Sequence, residues 1–65
     1  MFIKINGSES EVAENLSIQG LLLAHKLGES IIIELNGAII ARRLWESTIL
    51  NLDDQLEITR IMAGG

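Results

Sequence analysis

Ile31-Ile32-Ile33-Glu34-Leu35-Asn36-Gly37-Ala38-Ile39-Ile40-Ala41 is the stretch that decides the fold. β-Branched residues stand on both sides of an Asn-Gly pair, and those two residue types accept the positive φ angles that a two-residue hairpin turn requires. The stretch predicts a hairpin with strands at 31–35 and 38–41. A lone hairpin is marginal in water, so these strands need further strands and a covering layer from the rest of the chain.

Upstream, Phe2-Ile3-Lys4-Ile5 alternates as a half-buried strand does, and Asn6-Gly7 marks a second tight turn. The return strand is expected at 10–13 and is polar enough to form a sheet edge that discourages pairing with other chains. Ser17 is placed to cap a helix, since its hydroxyl can accept from the free N–H groups of the first turn. Ile18, Leu21, Leu22 and His25 mark one helical face, Leu23 and Leu27 widen it, and Gly28 fits the left-handed position after the end. Gly20 costs about 1 kcal/mol against Ala in a helix, so this one relies on packing, and the glycine is expected to let the helix approach the sheet closely.

Downstream, Arg42-Arg43-Leu44-Trp45-Glu46 lacks alternation and predicts a helical turn, with Leu44 or Trp45 closing the end of the core. Asn51-Leu52-Asp53-Asp54-Gln55 is a turn by composition, and 56–62 alternates again as a final strand. The order is hairpin, helix, hairpin, turn, strand. That order predicts an α+β domain: a mixed sheet of about five strands with one helix packed across one face, burying Ile3, Ile5, Leu21, Leu22, Ile33, Leu35, Leu56 and Ile58.

Composition narrows the function. Sixty-five residues fit one domain, and 48% hydrophobic content is far above that of a disordered chain. Nine acidic against five basic side chains leave a net charge of −4, which repels phosphate backbones and argues against nucleic acid as a partner. With no apolar run near the ~20 residues of a membrane span and no basic leader before one, no membrane partner and a cytoplasmic location are expected. Cysteine is absent, which removes disulfides and any thiolate ligand or nucleophile. His25 has no second ligand at metal spacing and is expected to be structural or solvent-facing. The sequence holds no P-loop, no dinucleotide glycine fingerprint and no nucleophile–base pair, so an independent enzyme is not expected and no cofactor is assigned to the chain.

The last strand runs into Ala63-Gly64-Gly65. Packing does not ask for these glycines, and at ordinary usage a chain ends in Gly-Gly about once in 200 cases. The domain is therefore taken as 1–62, with 63–65 as a flexible tail.

The Asn36-Gly37 hairpin, Arg43 and Trp45 after it, the Asp53-Asp54-Gln55 turn and the Ile61-Met62-Ala63-Gly64-Gly65 ending together resemble the ThiS family of thiamine-biosynthesis sulfur carriers, which have a ubiquitin-like β-grasp fold. Two features depart from that family's pattern: Asp53-Asp54-Gln55 stands where Asp-Gly-Asp is common, and Gly20 where a capping Glu is frequent. The resemblance implies that the Gly65 carboxylate is adenylated by a ubiquitin-activating-like adenylyltransferase using ATP. It is then converted to a thiocarboxylate with sulfur from a persulfide donor protein, and that sulfur passes to thiazole synthase. Ala63, Gly64 and Gly65 would thread the partner's active site, as a segment without bulky side chains can. Phe2, Ile32 and Ile61, outward-facing by alternation, are the expected partner-docking patch on a carrier that is a monomer when free. A sulfur carrier for molybdopterin synthesis, a ubiquitin-type protein modifier and a binding module with an inert tail stand as alternatives.

Overall fold

The computed structural model describes residues 1–28 and 30–61. Five strands form one sheet: β1 (Phe2–Ile5), β2 (Ser8–Glu11), β3 (Ile31–Leu35), β4 (Ala38–Ile40) and β5 (Gln55–Arg60). Their spatial order is β2-β1-β5-β3-β4, with β1 parallel to β5 and the other neighbours antiparallel. One helix, α1 (Ile18–Ala24), and one 3₁₀ turn (Arg42–Leu44) complete the fold. This is the ubiquitin-like β-grasp architecture.

Both Asn-Gly pairs do what their residue types allow. Asn6 and Gly7 have φ of 51° and 83°, and Asn36 and Gly37 have 52° and 88°, so each pair carries the two positive angles of a type I′ turn. Such a turn leaves no spare residues, so Ile5 pairs directly with Ser8. The return strand is therefore Ser8–Glu11 and not 10–13. Val12, expected within the strand, follows it and is buried, tied to Met1 by hydrogen bonds in both directions.

The two turn asparagines also hold β5. Asn6 Oδ1 accepts from the Ile58 N–H at 2.7 Å and its Nδ2 donates to the Ile58 carbonyl at 3.3 Å. On the opposite side of β5, Asn36 Oδ1 accepts from Gln55 N–H at 2.9 Å, and its backbone N–H donates to the Gln55 carbonyl at 2.8 Å. Asn36 Nδ2 donates to Oδ1 of the buried Asp54 at 3.0 Å, whose Oδ2 accepts from the Asn51 N–H at 2.7 Å. Burial of this carboxylate is tolerated because both oxygens have donors. The left-handed residue of the 53–55 turn is Asp53, with φ of 67°.

Helix α1 starts as expected, with the Ser17 hydroxyl accepting from Gly20 N–H at 3.0 Å. Its other early N–H groups find carbonyls of the 45–48 segment, Ile18 to Thr48 and Gln19 to Trp45. It ends three residues earlier than the periodicity suggests. Lys26 takes the left-handed conformation at φ 54°, its N–H donates to Leu23, and the Leu27 N–H donates to Leu22. This is a Schellman close, and it turns Leu27 back onto the core while leaving His25 and Leu23 exposed. Gly28 does not occupy the left-handed position. Gly20 does not serve an approach to the sheet either, because a Cβ there would meet the Leu16 side chain at 2.8 Å and the capping hydroxyl at 3.3 Å.

Ile3, Ile18, Leu21, Leu22, Ile33 and Leu56 form the centre of the core, while Ile5, Leu35 and Ile58 are only partly buried against it. Trp45, not Leu44, closes one end: it is 4% exposed against 39%, and its Nε1 donates to the Ile40 carbonyl at 3.0 Å. Leu50, unassigned by pattern, is 1% exposed and anchored by its N–H to the Leu16 carbonyl.

Replacing Lys26 by Gly should raise stability by about 0.5–1 kcal/mol, since glycine takes the left-handed angle without the Cβ penalty; urea unfolding checks this. Asn36→Asp should lower stability by about 2 kcal/mol at neutral pH, because a donor is lost and a second carboxylate faces Asp54. That deficit should exceed the one for Asn36→Gly, which keeps the turn and loses only the clasp, and it should shrink in acid, where one carboxyl binds a proton.

Candidate functional site

Strand β5 lies in the middle of the sheet and carries the chain toward its C-terminus. Five antiparallel pairs with β3, from Leu35↔Leu56 to Ile31↔Arg60, hold one flank, and Lys4↔Gln55 and Ile5↔Leu56 with β1 hold the other. The last described anchor is Ile61, whose N–H donates to the Ser30 carbonyl at 2.9 Å. The described part of the chain is thus tied to the β3 side up to Ile61. Ala63, Gly64 and Gly65 lie outside the described residues, as does Met62.

Alternation and register define the face turned away from α1. Ile3, Ile33 and Leu56 point to the helix, so Phe2, Lys4, Ile32, Glu34, Gln55, Glu57 and Thr59 point outward. Ile32 pairs with Thr59, which puts Ile61 on its diagonal, and Glu34 pairs with Ile39, which puts Ile39 on the other diagonal. Ile61, Ile32 and Ile39 form an oblique apolar stripe, 52%, 40% and 69% exposed, at the end of the sheet from which the chain leaves. Phe2 does not join it. Asp53 N–H donates to the Phe2 carbonyl, so Phe2 lies level with the turn before β5, while Ile61 follows the far end of that strand. There it borders an open groove with Lys4, Glu9 and Asp53.

The expected patch is therefore brought together at Ile32 and Ile61 and not at Phe2, and sequence reasoning missed Ile39. The signal was present: a two-residue turn at Asn36-Gly37 sets Leu35 opposite Ala38, which places Ile39 on the face of Ile32 and Glu34. Next to the stripe, Glu34 and Glu57 stand directly opposite each other across β3 and β5. Neither carboxylate has a hydrogen-bond or ion-pair partner among the described residues. Like charges so placed repel.

Among the described residues, no group of three His, Asp or Glu side chains could hold a metal ion, and no helix is long and apolar enough to cross a membrane. His25 is exposed and borders a groove with Ile5, Leu27, Ile58 and Arg60. Among the described residues, what stands out is the bonded end of β5 at Ile61 and the open sheet face beside it.

Strand order and helix together define a ubiquitin-like β-grasp protein whose last strand, β5, is central in the sheet. The model of the ThiS family matches residues 3–65, and this chain belongs to that family. It is similar to the crystal structure of the thiamine biosynthesis protein ThiS from Geobacter metallireducens, at 33% identity and a TM-score of 0.87, with all of both chains covered. The solution structure of a thiamine biosynthesis protein from the same organism aligns at 33% identity and a TM-score of 0.82, covering all of this chain and 88% of the other. No curated protein matches the chain.

Removing one member of the opposed acidic pair, Glu34→Gln or Glu57→Gln, should stabilise the fold by about 0.5 kcal/mol. Urea midpoints should show the gain at low salt and lose most of it near ~1 M salt, where charges are screened within about 3 Å.

Proposed function

We propose that this chain is a sulfur carrier of thiamine biosynthesis and that its working group is the Gly65 carboxylate. The observation that carries the reading is membership of the ThiS family through residue 65, joined to a central strand, β5, that Gly64-Gly65 follow in the sequence. A carboxylate at neutral pH resists nucleophiles, so it needs activation by another protein. Its oxygen attacks the α-phosphorus of ATP on a ubiquitin-activating-like adenylyltransferase, which releases pyrophosphate and leaves an acyl adenylate. The outer sulfur of a persulfide donor protein then displaces AMP to form an acyl disulfide, and a second thiol attacks the donor-side sulfur, forming a disulfide with the donor and releasing the thiocarboxylate that serves thiazole synthase. In this scheme ATP is the partner's substrate and the carrier itself catalyses nothing.

Docking is assigned to the outer sheet face, with Ile32, Ile39 and Ile61 as its apolar centre, since the stripe lies beside the root of the tail. A rigid root matters for this role. With Ile61 hydrogen-bonded to Ser30, four residues reach at most about 14 Å, so docking of the face fixes where Gly65 can go. Ala63, Gly64 and Gly65 present little bulk to a narrow channel.

The test is the intact mass after incubation with ATP, the adenylyltransferase and a persulfide donor. The expected result is a gain equal to sulfur replacing oxygen, localised to the C-terminal peptide, absent in a variant lacking Gly65 and strongly reduced in Gly64→Val. An unchanged mass with partners shown to be active would sink the proposal.

A further inference from the structure

The two Asn-Gly pairs, Asn6-Gly7 and Asn36-Gly37, carry a reactivity as well as a turn. The backbone nitrogen after an asparagine can attack the side-chain amide carbon, and glycine, with no Cβ, leaves that approach unhindered. Both turns are open to water. All four residues are exposed, and nothing lies within 4 Å of the place a Cβ on Gly7 or Gly37 would take. Protection therefore rests on conformation and bonding. The five-membered ring needs the glycine nitrogen on the same side of the asparagine Cα–C bond as Cβ, whereas a type I′ turn holds ψ of its first central residue near about 30°, which puts the nitrogen on the far side. The turn must open before the ring can close, so the rate follows the population of the opened turn.

The two turns are not held equally. Among the described residues, Ile58 alone bonds the Asn6 amide, accepting from Nδ2 at 3.3 Å and donating to Oδ1 at 2.7 Å, and the first of these bonds is long. The strand that follows, β2, buries no apolar side chain. Asn36 is gripped by Gln55 N–H on Oδ1 and by the Asp54 carboxylate on Nδ2, and that carboxylate is buried and fixed in turn by Asn51 N–H. The strand that follows, β4, has Ile40 packed against the core and its carbonyl bonded to Trp45 Nε1. The same dipeptide in the same type of turn thus stands once on a loosely held hairpin and once on a pinned one.

We propose that Asn6 is a modification site of the folded protein, converted by intramolecular deamidation, and that Asn36 is kept from the same fate by its clasp with Asp54. The inference does not depend on the sulfur-carrier reading. Gly7 N forms a bond to Asn6 Cγ, the Cγ–Nδ2 bond breaks, and Nδ2 leaves as ammonia with the proton that Gly7 N gives up. Water then opens the cyclic imide. Opening at the side-chain carbonyl leaves aspartate, and opening at the main-chain carbonyl leaves isoaspartate, in which the chain runs through the side chain and is a carbon longer. The longer link cannot close a two-residue turn. Among the described residues, the bonds of Asn6 to Leu56 and Ile58 are the furthest along β5 that reach it from the β1 side, so their loss leaves the end of β5 held by β3 alone.

The experiment incubates the full chain in mildly alkaline buffer, which favours loss of the glycine N–H proton, with and without strong urea, and follows aspartate and isoaspartate at both positions by peptide mass mapping. In buffer, position 6 should convert about tenfold faster than position 36, and in urea the two rates should agree within about twofold, because the opened chain retains only the local chemistry. Hydrogen exchange on the chain carrying isoaspartate at position 6 should show the Ile58 N–H exchanging faster while the Gln55 N–H keeps its protection. Asn6→Gly, which suits the turn, should abolish the fast product. Equal rates in buffer, faster conversion at position 36, or no conversion at position 6 in buffer while urea converts both would each overturn the proposal. Asp54→Ala, shown by thermal melting to be folded, should speed position 36 and leave position 6 unchanged; an unchanged ratio removes the clasp as the cause, and the comparison of the unmutated chain in buffer and urea decides the status of Asn6 whether or not that variant folds.

Discussion

Everything in this fold depends on how β5 is held. The two hairpins do not pair with each other, since β5 lies between β1 and β3 in the sheet. Beyond the ladders, each hairpin grips that strand with the side chain of its turn asparagine, Asn6 at Ile58 and Asn36 at Gln55. An asparagine amide carries the same donor and acceptor as a peptide unit: Asn6 uses both on Ile58, and Asn36 adds its Oδ1 to the backbone bond it already makes to Gln55. The buried Asp54 braces the second grip by joining Asn36 to Asn51. Positive φ explains why asparagine is suited to the turn, and the grip explains why glycine would not serve equally well.

The 45–50 segment has a comparable task on the other side of the core. It meets the start of α1 through a bridge between Ser17 and Ile49 and through bonds from Ile18, Gln19 and Leu50, so a helix of seven residues has partners for its early N–H groups. A helix this short would not persist alone in water. Its persistence comes from Ile18, Leu21 and Leu22 in the core and from the Schellman close that folds Leu27 inward.

Much of this was legible in the sequence where one residue type has one physical use. Asn-Gly pairs located both hairpins, Ser17 located the helix start, and alternation oriented β1, β3 and β5. What escaped was decided at a distance or against preference. The grip of Asn6 on Ile58 spans 52 positions, and no local pattern announces it. Leu50 is buried in a segment without period, so its apolar character alone did not place it. The helix end was misplaced because Lys26 adopts an angle usually left to Gly or Asn, and the early stop then exposed His25. On the outer face, position along the strand mattered as much as direction: Phe2 and Ile61 share a face and lie at opposite ends of it.

The placing of β5 between the two hairpins also sets a timetable for the newborn chain. During synthesis the segments 1–11 and 31–40 are made before β5, and no strand ladder joins them until residues 55–60 are available. The strand made last is the one that unites the sheet, so the cooperative unit forms late, and a chain that stops short of β5 has no sheet to fold into. Completion of the sheet and the placing of Ile61 are in this way one event: a chain that has folded has also bonded Ile61 to Ser30.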